Sequence, residues 1–234
     1  MGTAGASVDD DRRSIRELAR RFAGAFPLLS VPDQHLALAL YRRLARGRAV
    51  EPAALAAAAG REPGEVETLL SGWPGLFRDD AGRITAFLGL STAETVHRFE
   101  VDGSTLFTWC AWDALFLPRL LDATAQVVSA CPVTGTPVHL TVAPHGVESV
   151  HPHETVVSFL MPAEEELRRH TTASFCHFVH FFASPAAAGE WLAQHPEAWT
   201  LDLAEAFALG AAVNEARYPD ALGVSPAPGS RASP

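Results

Sequence analysis

Val96-His-Arg-Phe-Glu-Val101, the dipeptide Asp102-Gly103 and Thr105-Leu-Phe107 mark the point where the chain changes texture. Apolar and polar side chains alternate on both sides of a two-residue turn signal, the signature of a hairpin with one buried face. Similar strand-like runs recur at Gln126 to Ala130, Val138 to Val142, Val156 to Leu160 and Phe178 to Phe182, so sheet is expected from Thr95 onward. Helical spacing interrupts it at Trp109 to Leu121, Ala163 to Thr171, Pro185 to Gln194 and Leu203 to Ala216. These elements predict an α+β domain over residues 93–222, a mixed, mostly antiparallel sheet with flanking helices.

Upstream the period is helical. Ile15 to Phe26 is followed by Asp33 to Arg46, with Pro32 at its start and Gly47 just past its end. Pro52 to Ala59 ends at Gly60, and Pro63 to Leu70 ends at Gly72. Leu76-Phe77-Arg78, the turn Asp79-Asp80-Ala81-Gly82, and Ile84 to Leu88 then read as a small hairpin. Helices followed by a hairpin predict a winged-helix-like domain over residues 12–92. The ends, 1–11 and 223–234, are rich in Gly, Ser, Pro or Asp and are expected to be disordered tails. No internal repeat is visible.

A chain of 234 residues, 48% hydrophobic and 19% charged with 13 Phe and 5 Trp, can bury a sizeable core and does not have the composition of a disordered protein. It holds no apolar run long enough for a membrane span and no export signal at its start, so a cytoplasmic protein without membrane partners is expected. The net charge of −9 falls wholly on residues 101–234, while 1–100 are neutral, which argues against nucleic acid as a partner. Three widely spaced cysteines exclude a disulfide framework and leave each thiol as packing or chemistry.

Thr108-Trp109-Cys110-Ala111-Trp112-Asp113-Ala114-Leu115-Phe116 sets a thiol and a carboxyl three positions apart at the start of an apolar helix, where i and i+3 share a face. A thiol near a helix N-terminus has its thiolate favoured by free N–H groups, so Cys110 is expected to be more acidic than usual. Asp113 sits among Trp109, Trp112, Leu115 and Phe116; burial there raises a carboxyl pKa and makes it able to hold and hand over a proton near neutrality. A cysteine on an apolar helix is most often packing, and an aspartate there is often a satisfied buried acid, so both readings stay open at this point. Taken alone, Cys176 in Ser174-Phe-Cys-His-Phe-Val-His-Phe-Phe182 reads as core. His177 and His180 would face opposite sides of a strand, a poor ligand pair, and His151 and His153 read as solvated loop residues. Cys131, in Cys131-Pro-Val-Thr-Gly135, has half of a zinc-knuckle pattern and reads as structural.

Three blocks taken together say more. Phe107-Thr-Trp-Cys-Ala-Trp-Asp-Ala-Leu-Phe-Leu-Pro118, Ser129-Ala-Cys-Pro-Val-Thr-Gly-Thr-Pro-Val138 and Ser174-Phe-Cys-His-Phe-Val-His-Phe-Phe-Ala-Ser184 resemble the core blocks of the organomercurial (alkylmercury) lyases, in the same order and at similar spacing. The resemblance implies protonolysis of a C–Hg bond to a hydrocarbon and Hg2+, in mercury detoxification, with Cys110, Cys176 and Asp113 both catalytic and in contact with the metal. It further implies no required cofactor, Hg2+ held as product, low-molecular-weight thiols for turnover, and a hand-off of the ion to mercuric reductase. Cys131 matches a family cysteine regarded as structural, whereas His177 stands where some members have another cysteine. Soft thiolates are the preferred ligands of a soft ion such as mercury. The expected sequence of events is capture by Cys110, proton uptake by Asp113 as Cys176 joins, and protonation of carbon by Asp113. The rival readings are a winged-helix regulator that senses soft metals through the same thiols without cleaving anything, and a relative of the lyases with another substrate.

Overall fold

The structure is a computed structural model whose described residues are 15–223. Apart from Gly223, both expected tails lie outside the described residues. Residues 15–24 form helix α1. Helix α2 (Val31–Leu44) is capped by Ser30, whose hydroxyl accepts the Asp33 N–H, and has Arg42 and Arg43 in its last turn, where the helix dipole favours cations. α3 (Pro52–Ala59) and α4 (Pro63–Ser71) both open on a proline, which already has a helical φ and no N–H to leave unpaired. The hairpin β1 (Leu76–Arg78) and β2 (Ile84–Phe87) follows, then the short β3 (Leu90–Ser91).

Next come β4 (His97–Val101) and β5 (Ser104–Thr108), helix α5 (Asp113–Leu121), and β6 (Ala125–Ala130), β7 (Pro137–Ala143) and β8 (Gly146–His151). β9 (Val156–Phe159), α6 (Glu164–Ser174), a 3-10 turn at Cys176–Phe178, β10 (Phe181–Phe182), α7 (Pro185–Leu192), β11 (Trp199–Leu201) and α8 (Leu203–Arg217) complete the chain. An eight-stranded sheet runs β1-β2-β3-β5-β4-β6-β7-β8 and a three-stranded one β10-β9-β11. Every strand pair among the described residues is antiparallel, so the sheets are not mixed. The early hairpin does not stand alone: β2 pairs with β3 and β3 with β5, which makes it one end of the large sheet.

The alternation read in β4, β6 and β7 is the alternation of burial. Phe99, Val101, Val127, Val138, Leu140 and Val142 are each at most 2% exposed, and burying each contributes about 1.5–3 kcal/mol. α5 packs on β7 and against α8, which a capping box between Asp202 and Glu205 starts at a defined residue. Gly210 of α8 lets the two helices close up, since a Cβ there would lie 2.6 Å from Phe116 Cβ.

Several elements depart from expectation, among them the short strands β3 and β11, which no strand-like run marks. β8 escapes the period-2 reading because a bulge sets Thr141 opposite Ser149 but Val142 opposite Val147, putting its valines three apart. The helix expected from Trp109 starts at Asp113, because the N–H groups of Trp109 and Ala111 are taken by Gly89 and Val179 carbonyls at 2.9 and 3.2 Å. The strand expected over Phe178 to Phe182 shrinks to two residues: Ser158 Oγ, not a backbone carbonyl, receives the His180 N–H at 2.9 Å and donates to the Phe178 carbonyl at 2.7 Å.

Candidate active site

Cys110 lies just beyond β5 and Asp113 opens α5. The turn between them returns the carboxylate to the Cys110 backbone N–H, which donates to Asp113 Oδ2 at 2.9 Å. Thr108 Oγ1 fixes the same turn by donating to the Cys110 carbonyl at 2.9 Å. The nearness expected from helical spacing is therefore produced by a turn. Cys176 arrives on the 3-10 turn after α6, held by the Ala111–Val179 bond.

The two sulfurs and one carboxylate oxygen all lie within 4.8 Å of one another. Cys110, Cys176 and Asp113 are 0%, 5% and 6% exposed, so this is a desolvated cluster. Its electrostatics follow. Burial pushes the Cys110 thiol well above its usual range, which overturns the expectation of an acidic thiol: the turn leaves Cys110 outside the helix, and the desolvated site opposes a thiolate. Cys176 is pulled down by hydrogen bonding with Cys110, but burial and the nearby Asp113 carboxylate outweigh this and its pKa is also raised. Burial lifts Asp113 from 3.8 to about 7, against the Cys110 thiol and the N–H groups of Cys110 and Trp109, which favour the carboxylate.

Asp113 and Cys176 open onto a cavity walled by Phe22, Phe26, Trp109, Trp112, Phe116 and Phe175, with Tyr41, Leu88, Gly89 and Tyr218 also lining it. Cys110 is not among the lining residues; it sits behind them. The rings interlock edge to face, Phe22 lying 4.7 Å from Phe175 and 5.0 Å from Trp112, and Trp112 Nε1 donates to the Ala206 carbonyl of α8 at 2.9 Å. An apolar guest fits such walls, with the Asp113 carboxyl and the Cys176 sulfur at one end.

The remaining candidates lie elsewhere. Cys131 is buried in a separate small cluster with Phe182, Ala187 and Ala188, and His177, His151 and His153 are exposed. Among the described residues no other group of His, Cys, Asp or Glu has ligand spacing. Sequence reading missed the cavity walls contributed by Phe22 and Tyr41, for which helical periodicity signals only burial, by Tyr218, which lies past the last helix, and by the Leu88-Gly89 turn, for which the glycine after a strand was an available signal.

Comparison with known proteins covers the segment that contains these residues. The alkylmercury lyase family model matches residues 90–215. The alkylmercury lyase of Pseudomonas putida is 46% identical over 176 residues, 75% of this chain and 81% of that protein. That of Streptomyces lividans is 45% identical over 178 residues, 76% and 80% of the two chains. That of Staphylococcus epidermidis is 43% identical over 171 residues, 73% and 77% of the two. The crystal structure of the mercury-bound form of MerB2 superposes with a TM-score of 0.69 over 86% of this chain and 98% of that one at 22% identity, so the two share a fold. With a buried thiol pair and acid inside the matched segment, and identity above 40% to three lyases over most of their length, this chain belongs to the alkylmercury lyase family.

Proposed function

We propose that Cys110, Cys176 and Asp113 carry out the C–Hg protonolysis of this lyase and that Hg2+ is left on the two sulfurs. The observation that carries the assignment is the 4.8 Å cluster of two buried thiols and one buried carboxyl beneath an aromatic cavity. With the thiols held protonated by burial, the metal itself must displace the protons, as a soft ion binding sulfur does. Cys176 lines the cavity, whereas Cys110 is fully buried and absent from its lining, so capture starts at Cys176 rather than at Cys110. From a thiol adduct R–Hg–SR′, Cys176 forms S–Hg and its proton leaves on R′SH. Cys110 then binds mercury while its proton passes to the Asp113 carboxylate 2.9 Å from its own backbone N–H. Two thiolates raise electron density on the carbon. Asp113 delivers the proton there, R–H departs, and the carboxylate is restored for the next cycle. The net change is R–Hg–SR′ plus two thiols giving R–H, R′SH and a dithiolate-bound Hg2+.

The test is hydrocarbon release from methylmercury or phenylmercury with excess thiol. Cys110→Ala, Cys176→Ala and Asp113→Ala are each expected to lose activity, Asp113→Ala by on the order of 10²–10⁴-fold for loss of a general acid; full activity in any one removes that residue from the scheme. For the order of capture, mass spectrometry of the R–Hg adduct should find Cys110→Ala charged at nearly the parental rate and Cys176→Ala slowly, and the reverse ranking defeats it.

The surrounding biology is read the same way. Small thiols extract the ion from the recessed sulfurs, mercuric reductase receives it, and the enzyme works in the cytoplasm without nucleic-acid or membrane partners. In organisation, a winged-helix-like layer over residues 12–92 covers a catalytic core over 93–222, a reading supported by the order α2, α3, α4, β1, β2. No described helix is long and apolar enough to cross a membrane. The metal-sensing regulator is not favoured, given the acidic charge and the lyase relatives.

A further inference from the structure

The wall behind Asp113 is backbone, not side chain. Between β2 and β3 the chain reverses through Leu88 and Gly89, with φ of +32° and +100°. A Cβ placed on Gly89 would lie 2.6 Å from both Asp113 Cγ and Oδ1 and 3.0 Å from Asp113 Cβ, closer than nonbonded carbon and oxygen approach. The turn is fastened on three sides: the Tyr41 hydroxyl donates to the Leu88 carbonyl at 3.0 Å, the Leu88 N–H to the Gly75 carbonyl at 2.9 Å, and the Trp109 N–H to the Gly89 carbonyl at 2.9 Å. A clash at Gly89 therefore cannot be relieved by moving the turn without breaking these bonds, and the carboxyl would have to yield instead. The carboxyl is otherwise held by the Cys110 N–H at 2.9 Å, the Trp109 N–H and the Cys110 thiol, and the same movement would disturb these contacts.

We propose that Gly89 is a positioning residue for the proton donor: by presenting bare backbone it lets the Asp113 carboxyl sit against the Leu88-Gly89 turn, in reach of both sulfurs and of the carbon they activate. The consequence is that the N-terminal layer does more than cover the site. Gly89 lies just outside the segment matched by the family model, in the turn between β2 and β3 at the N-terminal end of the large sheet, and it sets where the acid stands. This rests on Asp113 being the acid, so the two ideas need separable tests.

The experiment compares the parent with Gly89→Ala, Asp113→Ala and two controls, Gly82→Ala and Gly103→Ala. The control glycines have φ of +81° and +73° with nothing within 4 Å of the added Cβ, so they impose the backbone strain without the collision. Measured are thermal melting, Hg2+ uptake by the two thiols, and kcat and KM for benzene release from phenylmercury. Gly89→Ala is expected to keep Hg2+ stoichiometry and KM while kcat falls on the order of 100-fold, the scale set by a misplacement of about 1 Å, and both controls are expected to keep kcat within about twofold. A Gly89→Ala enzyme with parental kcat overturns the proposal, as does a loss that Gly82→Ala and Gly103→Ala reproduce. An active Asp113→Ala defeats the assignment of the acid. Should Gly89→Ala fail to melt cooperatively, Tyr41→Phe decides: it frees the Leu88 carbonyl without adding an atom, and a fall in kcat with Hg2+ uptake and KM unchanged supports the role, whereas an unchanged kcat overturns it.

Discussion

Replacing Asp113 by asparagine is expected to stabilise the folded protein above pH 7 and to make little difference near pH 4. The carboxyl titrates at about 7 in the fold against 3.8 ordinarily, so between those values the native state holds a proton that the unfolded chain has released. Stability therefore declines as pH rises through that window, by on the order of 4 kcal/mol once pH exceeds 7. Asparagine has the shape of the protonated acid and its oxygen can still accept the Cys110 N–H, but it has no charge to bury. The variant should thus keep at pH 8 what the parent loses, a Tm higher by roughly 8–16 °C for a chain of this size. His97 complicates the parent's own curve: burial, and secondarily His180, depress it to about 3, so it removes stability as pH falls below 6.5, opposite in sign to Asp113. Because both proteins contain His97, its contribution cancels in the difference. The assay is urea unfolding of both proteins at pH 5, 6, 7 and 8, with the difference in unfolding free energy plotted against pH. A flat difference would refute the reasoning, since it would mean that Asp113 does not change protonation between the folded and unfolded states in this range.

Other consequences can be checked with the same protein. Because Asp113 must begin as carboxylate to accept a thiol proton, kcat/KM is expected to rise with pH through a midpoint near 7, measured by hydrocarbon release from pH 5.5 to 8.5. Gly210→Ala adds a methyl 2.6 Å from Phe116 Cβ; the cost of overpacking, about 1–3 kcal/mol, is expected to exceed the helix-propensity gain of about 1 kcal/mol, so Tm should fall by several degrees. Phe22→Ala removes a 3% exposed ring from the nest around Trp112 and Phe175; a loss of about 3–5 kcal/mol in urea melts is expected, with a fall in turnover as water enters the cavity.

Much of this was readable from local pattern, because a strand with one buried face writes its environment at period 2. β4, β6 and β7 follow that rule, whereas β8 breaks it through a single bulge that depends on its partner strand. The Cys110–Asp113 pair was legible as a spacing, though the turn that joins them depends on carbonyls of Gly89 and Val179 that no local window contains. Cys176 was legible only through resemblance: its own neighbourhood reads as core, and it is brought to Cys110 by long-range pairing of the chain around Val179. The thiol acidity was misjudged for the same reason, since proximity to a helix start is a local feature and desolvation is a property of the whole fold. Gly89 had an ordinary turn signal, and nothing in the sequence said what the turn would touch.

The continuity of the large sheet through β3 bears on how such an enzyme can be inherited or rebuilt. Two residues, Leu90 and Ser91, join the early hairpin to β5, and the turn just before them meets the acid. Grafting the first ninety or so positions from a distant homologue would therefore require matching both a hydrogen-bond ladder and a methyl-free contact.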